Sequence, residues 1–193
     1  MEISEEEKNE KIKKEREEYQ KTREYKYLTG YHGTTHESAE KIIEGEFHQS
    51  TRENNWLGNG VYFYKYYSDA AIWKDIDTGK AVEEVIHVVV KVKKNQYLDM
   101  EKDDDRLIFE EINSTVKPLP EEEKGKEGKR QCKVMNMIWD RYPMIQVIGG
   151  RFAPYRTDET KRTLMDSRML RREFCLRNNE TILQKQIMDS TKI

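Results

Sequence analysis

Apolar residues are sparse up to residue 27 and then fall into short, compact runs. Residues 1–27 are mostly Glu, Lys and Arg, with Ile3, Ile12, Tyr19 and Tyr25 as isolated apolar members. Glu7 with Lys11 and Glu17 with Lys21 stand at i,i+4 spacing, where each pair adds ~0.2–0.5 kcal/mol to a helix. The pattern predicts a charged, solvated helix over 1–27, followed by a domain over 28–193.

From Tyr27 the pattern changes to short strands and turns, and Tyr27–Tyr31 is expected as a strand stopped at Gly33. Thr35 is placed to cap a helix that presents Ala39, Ile42 and Ile43 on one face and closes at Gly45. Asn54, Asn55, Gly58 and Gly60 mark a loop, after which Val61–Tyr64 is expected as a strand and Ser68 as the start of a helix carrying Ala70, Ala71 and Trp73. The run Val85–Val92 is almost continuously β-branched, which predicts a core strand. Leu107–Ile112 is expected to be helical, with Asp103, Asp104 and Asp105 at its N-terminal end. Residues 117–129 hold Pro, Gly and charge without an apolar face, so a flexible loop is expected there. A helix over Cys132–Tyr142 and strands over Met144–Ile148 and Phe174–Leu176 complete an α+β domain on a mostly antiparallel sheet.

Composition narrows the classes of function. The chain has 193 residues, 37% of them charged and 35% hydrophobic, and 35 basic residues nearly balance 37 acidic ones. Long-range attraction to nucleic acid is therefore not a global property, although a local basic patch is compatible with it. The two cysteines, Cys132 and Cys175, form no CxxC pair, and no apolar run reaches the length of a membrane span. With no signal-like segment, a cytoplasmic protein without membrane contact is expected. His36, His48 and His87 have no second ligand at useful spacing, so no metal is expected.

Two short stretches carry the chemistry. Tyr31-His32-Gly33-Thr34 puts an imidazole beside a glycine, where backbone can approach a ligand closely. Gly58-Asn59-Gly60-Val61-Tyr62-Phe63 delivers an aromatic ring from a strand after a glycine-rich turn. Tyr64, Tyr66 and Tyr67 follow as an aromatic cluster that packs on the core or lines a pocket.

The order His32-Gly33-Thr34, then Gly58-x-Gly60-Val61-Tyr62-Phe63, then Ser68 and Trp73, resembles the first two motifs of the PARP-like, diphtheria-toxin-like ADP-ribosyltransferases. Arg172-Glu173-Phe174-Cys175-Leu176 resembles the third, a catalytic glutamate followed by an aromatic and apolar residues. The resemblance covers roughly residues 27–183. It implies split antiparallel β-sheets flanked by helices and a His32, Tyr62, Glu173 triad acting on NAD as substrate, without a metal. His32 would bond the adenosine ribose and Gly33 the nicotinamide amide, with Thr34 and Ser68 nearby. Tyr62 would stack on the nicotinamide ring and Trp73 cover its other face. Glu173 would hold the nicotinamide ribose and stabilise its oxocarbenium-like transition state; otherwise it is an exposed charge paired with Arg171 or Arg172. Ala70 stands where many members have a serine.

The implied activity is mono-ADP-ribosylation of a nucleic acid such as RNA, or of a protein, by a toxin, effector or phage-defence enzyme. Such an enzyme would need an antitoxin or chaperone-like neutralising partner, for which the charged N-terminal helix is a candidate docking surface. The basic segment Lys161–Arg177, with Arg162, Arg168, Arg171 and Arg172, is a candidate guide for nucleic acid. The alternatives are an NAD glycohydrolase and a catalytically silent NAD- or ADP-ribose-binding module.

Overall fold

A computed structural model describes residue 10 and residues 24–72, 81–117, 127–152 and 171–189. Strands β1 (Tyr25–Thr34), β2 (Val61–Tyr64), β3 (Glu84–Lys93), β4 (Tyr97–Asp99), β5 (Val147–Phe152), β6 (Arg171–Leu176) and β7 (Ile182–Ile187) form a sheet ordered β4-β5-β6-β2-β1-β3-β7. Helices α1 (His36–Glu44), α2 (Tyr67–Ala71), α3 (Asp103–Thr115) and α4 (Glu127–Arg141) flank it. The α+β class is as expected. All neighbours are antiparallel except β4 with β5.

The ladder is continuous, yet it is thinned at one point. β1 pairs with β3 through ten residues, from Tyr25↔Lys93 to Thr34↔Glu84, but its register with β2 is the single pair Tyr31↔Tyr64. Three strands lie between β1 and β4, so a flat sheet would separate them by ~19 Å. Lys26 of β1 nevertheless sits 3.6 Å from the ring centroid of Tyr97 and 3.8 Å from Asp99 Oδ2, both on β4. The β1-β3-β7 half therefore folds over the β2-β6-β5-β4 half, hinged at the thin junction.

Strand alternation sorts the core accordingly. Ile86, Val88, Val90 and Val92 of β3 meet Val61, Phe63, Phe174, Leu176, Val147 and Tyr97 between the two halves, together with Ala39, Ile42 and Phe47. A second cluster lies on the outer face of the β2-β6-β5-β4 half. There Ile112 of α3 and Val134, Met135, Ile138 and Trp139 of α4 cover Leu98, Ile148 and Cys175.

Local chemistry explains the element ends. Thr35 caps α1 by accepting from the Ser38 amide at 3.3 Å, and the Gly45 amide donates to the Lys41 carbonyl. The three aspartates occupy the first turn of α3, which extends beyond the expected Leu107–Ile112 at both ends. β1 starts at Tyr25, so the expected boundary between 27 and 28 falls inside a strand, because Tyr25 and Lys26 are already paired with Lys93 and Val92. The expected N-terminal helix falls largely outside the described residues. So does most of the expected loop 117–129, of which residues 127–129 belong to α4.

Candidate active site

The three motifs sit on neighbouring strands. His32 is on β1, Tyr62 on β2 and Glu173 on β6, consecutive in the order β6-β2-β1. They do not share one face. His32 lies on the inner face, its ring against Phe47 and Phe63 at centroid distances of 5.2 and 5.9 Å. Tyr62 packs with the outer cluster under α4.

His32 Nδ1 lies 3.0 Å from the Tyr62 carbonyl oxygen. A carbonyl only accepts, so Nδ1 carries the proton and donates. Burial lowers the imidazole pKa, with the Tyr62 carbonyl opposing that shift. The ring is thus neutral, and its Nε2 presents a lone pair suited to a hydroxyl donor such as a ribose.

The Tyr62 hydroxyl donates to the Gly58 carbonyl at 2.7 Å and accepts from the Leu57 amide at 2.8 Å. It ties the glycine-rich turn to the strand that follows. Gly58 has φ +82°, a left-handed conformation that glycine adopts without steric cost. Burial drives the Tyr62 hydroxyl pKa upward, with the thiol of Cys175 adding to the effect.

Glu173 is 6% exposed, which excludes an exposed strand-end charge. It stands directly across the ladder from Tyr64, whose hydroxyl hydrogen-bonds to it. Burial pushes its carboxyl up to about 8; the Tyr64 bond and the Arg171 guanidinium pull it down, and Asp69 adds a small upward push. Arg171 Nε lies 3.7 Å from Asp69 Oδ1, and its guanidinium is 5.8 Å from the Tyr64 ring centroid. Tyr64, Asp69 and Arg171 are thus the immediate surroundings of Glu173. The signal for them is strand periodicity: Tyr64 is two residues beyond Tyr62, and Arg171 two before Glu173, each pair on one face.

The remaining expected site residues are dispersed around this core. Thr34 is buried at the end of β1, next to Gly33. A Cβ on Gly33 would lie 2.2 Å from the Ala70 carbonyl oxygen, so α2 seats on the glycine itself. Ala70 is fully buried at that contact, whereas Ser68 is exposed. Trp73 lies outside the described residues. Of the expected basic segment, residues 161–170 are also outside them; Arg171 and Arg172 pair with acids, and Arg177 donates to the Trp139 carbonyl at 2.6 Å.

Two open hollows of about 490 and 360 Å³ run along α4, both bordered by Met137 and Asp140. Neither is lined by His32, Tyr62, Tyr64 or Glu173, and the site is marked instead by the chemistry of Glu173. Among the described residues no group of three His, Cys, Asp or Glu side chains is arranged to hold a metal ion, and no helix is long and apolar enough to cross a membrane.

No family model matches the chain. The chain is similar to an uncharacterized protein of Methanocaldococcus jannaschii, 34% identical over 92 residues that make up 45% of this chain and 43% of that protein. The match thus spans less than half of either chain.

Proposed function

We propose that the chain is an NAD-dependent mono-ADP-ribosyltransferase that breaks the bond between nicotinamide and ribose beside Glu173. The observation that carries this reading is the convergence of three motifs, far apart in sequence, on the adjacent strands β6, β2 and β1 at the thin junction of the sheet. A neutral His32 whose Nε2 is an acceptor and a buried carboxylic acid held by Tyr64 add the chemical types the reaction needs.

When the C–N bond breaks, its electron pair leaves with nicotinamide and positive charge develops on the ribose. A carboxylate in a buried site stabilises that charge far more than one in water. Glu173 is held largely protonated at neutral pH by burial, and the positive charge of the nicotinamide ring, brought in with its ribose beside the carboxyl, favours ionisation. The acceptor's nucleophile then bonds to the ribose carbon and releases its proton, for which the Glu173 carboxylate is the base. His32 Nε2 is an acceptor suited to a hydroxyl of the second ribose, presented from the inner face of the sheet, whereas Glu173 follows Tyr62 and Cys175 onto the outer face.

The test uses NAD labelled in its adenylate half, incubated with the protein and cell lysate before and after nuclease or protease treatment. Label on a macromolecule is expected from the wild type and is lost in Glu173→Gln. Label found solely as free ADP-ribose would replace transfer with hydrolysis, and equal NAD turnover in Glu173→Gln would remove Glu173 from the chemistry.

A further inference from the structure

The described arginines of the basic segment do not offer a free nucleic-acid guide. Arg171, Arg172 and Arg177 are each engaged by an acid or a carbonyl of the fold. A different surface has the required chemistry: the outer face of the β1-β3-β7 half. On it, alternation places Tyr25, Tyr27 and Tyr31 of β1 beside Lys93 and Lys91 of β3. Tyr27 is 57% exposed.

Lys91 is directly opposite Tyr27 in the ladder, 4.3 Å from the Tyr25 ring centroid and 6.0 Å from that of Tyr27. Among the described residues it has no carboxylate partner, whereas Lys93 pairs with Glu24 at 3.1 Å. No Asp or Glu occupies the outward positions of β1, β3 or β7 among the described residues, in a chain with 37 acids. The strip also leads to the site. Tyr31 pairs with Tyr64, and Tyr64 with Glu173. Tyr25 and Tyr27 are spaced ~7 Å apart along the strand, and Tyr27 is ~13 Å from Tyr31.

Two successive rings with Lys91 between them, on a sheet face whose outward strand positions carry no acid among the described residues, form a stacking platform for bases with a contact for phosphate. We propose that a single-stranded nucleic acid is the acceptor, its bases stacked on Tyr27 and Tyr25, a phosphate at Lys91 and the modified nucleotide at the Glu173 end of the strip. The inference rests on the proposed activity for the reaction at that end, but the binding strip is tested separately.

Short fluorescent single-stranded RNA and DNA oligonucleotides serve as probes for the full chain, with NAD cleavage measured in parallel. Tyr27→Ala is expected to weaken binding about tenfold, and Tyr27→Phe to preserve it. Lys91→Ala is expected to weaken binding and to lower the salt slope by ~0.7. NAD cleavage without acceptor should be unchanged in all three variants. Equal affinity of wild type and Tyr27→Ala, no oligonucleotide binding, or label on protein alone would each overturn the proposal. NAD cleavage without Tyr27-dependent binding removes the strip and leaves the activity; Tyr27-dependent binding without NAD cleavage does the reverse.

Discussion

His32 reaches across the thinnest point of the sheet to donate its Nδ1 proton to the carbonyl of Tyr62, 3.0 Å away. Where β1 and β2 share the single pair Tyr31↔Tyr64, this side chain does what a ladder amide does elsewhere. His32→Ala leaves a buried carbonyl without its donor and opens space between Phe47 and Phe63, so a loss of about 1–3 kcal/mol is expected. His32→Phe restores ring packing without the donor or the Nε2 acceptor. Thermal unfolding should show His32→Phe recovering part of the stability lost in His32→Ala, while NAD turnover stays low in both. Full turnover in His32→Phe would show that the imidazole does not touch the substrate.

Gly58 couples the glycine-rich turn to the same strand. Its φ of +82° and a would-be Cβ only 2.7 Å from Asn136 Oδ1 and 2.9 Å from Trp139 Nε1 oppose any side chain. Gly58→Ala is expected to cost about 1–2 kcal/mol from the left-handed backbone alone, and more from the displaced indole. The Tyr62 hydroxyl bond to the Gly58 carbonyl then loosens. Urea unfolding together with the near-ultraviolet signal of the aromatic side chains reads both effects, and an unchanged midpoint would contradict the account.

The elements readable from sequence were those with local punctuation. Thr35 and Gly45 mark α1 at both ends, and Gly58 and Gly60 announce Val61–Tyr64, which is β2 residue for residue. β7 had no such mark: Ile182–Ile187 includes Gln184, Lys185 and Gln186, and its one strand partner among the described residues is β3. β4 is three residues long and pairs with β5, whose residues lie far along the chain. The site divides the same way. Glu173 is singled out in the sequence by the residues that follow it, but its bond to Tyr64 depends on the β2–β6 register, which no local spacing encodes. Likewise, alternation could place His32 and Gly33 on opposite faces but could not show that Phe47 and α2 occupy those faces.

Asp99 tests the closure of the two half-sheets. It is 5% exposed, 3.8 Å from Lys26 Nζ and 3.4 Å from an Arg172 guanidinium nitrogen, and Arg172 also pairs with Glu101 at 2.8 Å. Removing the acid leaves the Glu101 amide without its acceptor and leaves Lys26 and Arg172, each about one-third exposed, without their shared counter-charge, for which a loss of about 1–3 kcal/mol is expected. Lys26→Met removes one partner, leaves Asp99 its arginine, and retains an unbranched stem over Tyr97. A loss below about 1 kcal/mol is expected there, since a partly exposed pair is worth little. Asp99→Ala and Lys26→Met unfolding at the same denaturant concentration would rule out this closure.

Glu173 sets stability and activity against each other, and pH separates them. Its carboxyl titrates near 4.5 in the unfolded chain and at about 8 in the fold, so the folded state binds the proton more tightly. Stability from this group is therefore complete below pH 4.5 and falls as pH rises toward 8, by roughly 3–6 kcal/mol for a shift of this size. Glu173→Gln carries no ionising group and should melt above the wild type at pH 9, with the gap shrinking toward pH 5. Turnover runs the opposite way. Wild-type NAD cleavage should rise toward pH 8 as the carboxylate forms, whereas Glu173→Gln should be slower by about 10²–10³-fold throughout. Tyr64→Phe removes a bond that favours the carboxylate, so the rise should move to higher pH. A turnover profile that is flat from pH 6 to 9 in the wild type and in Tyr64→Phe would mean that Glu173 is not the titrating group of the reaction.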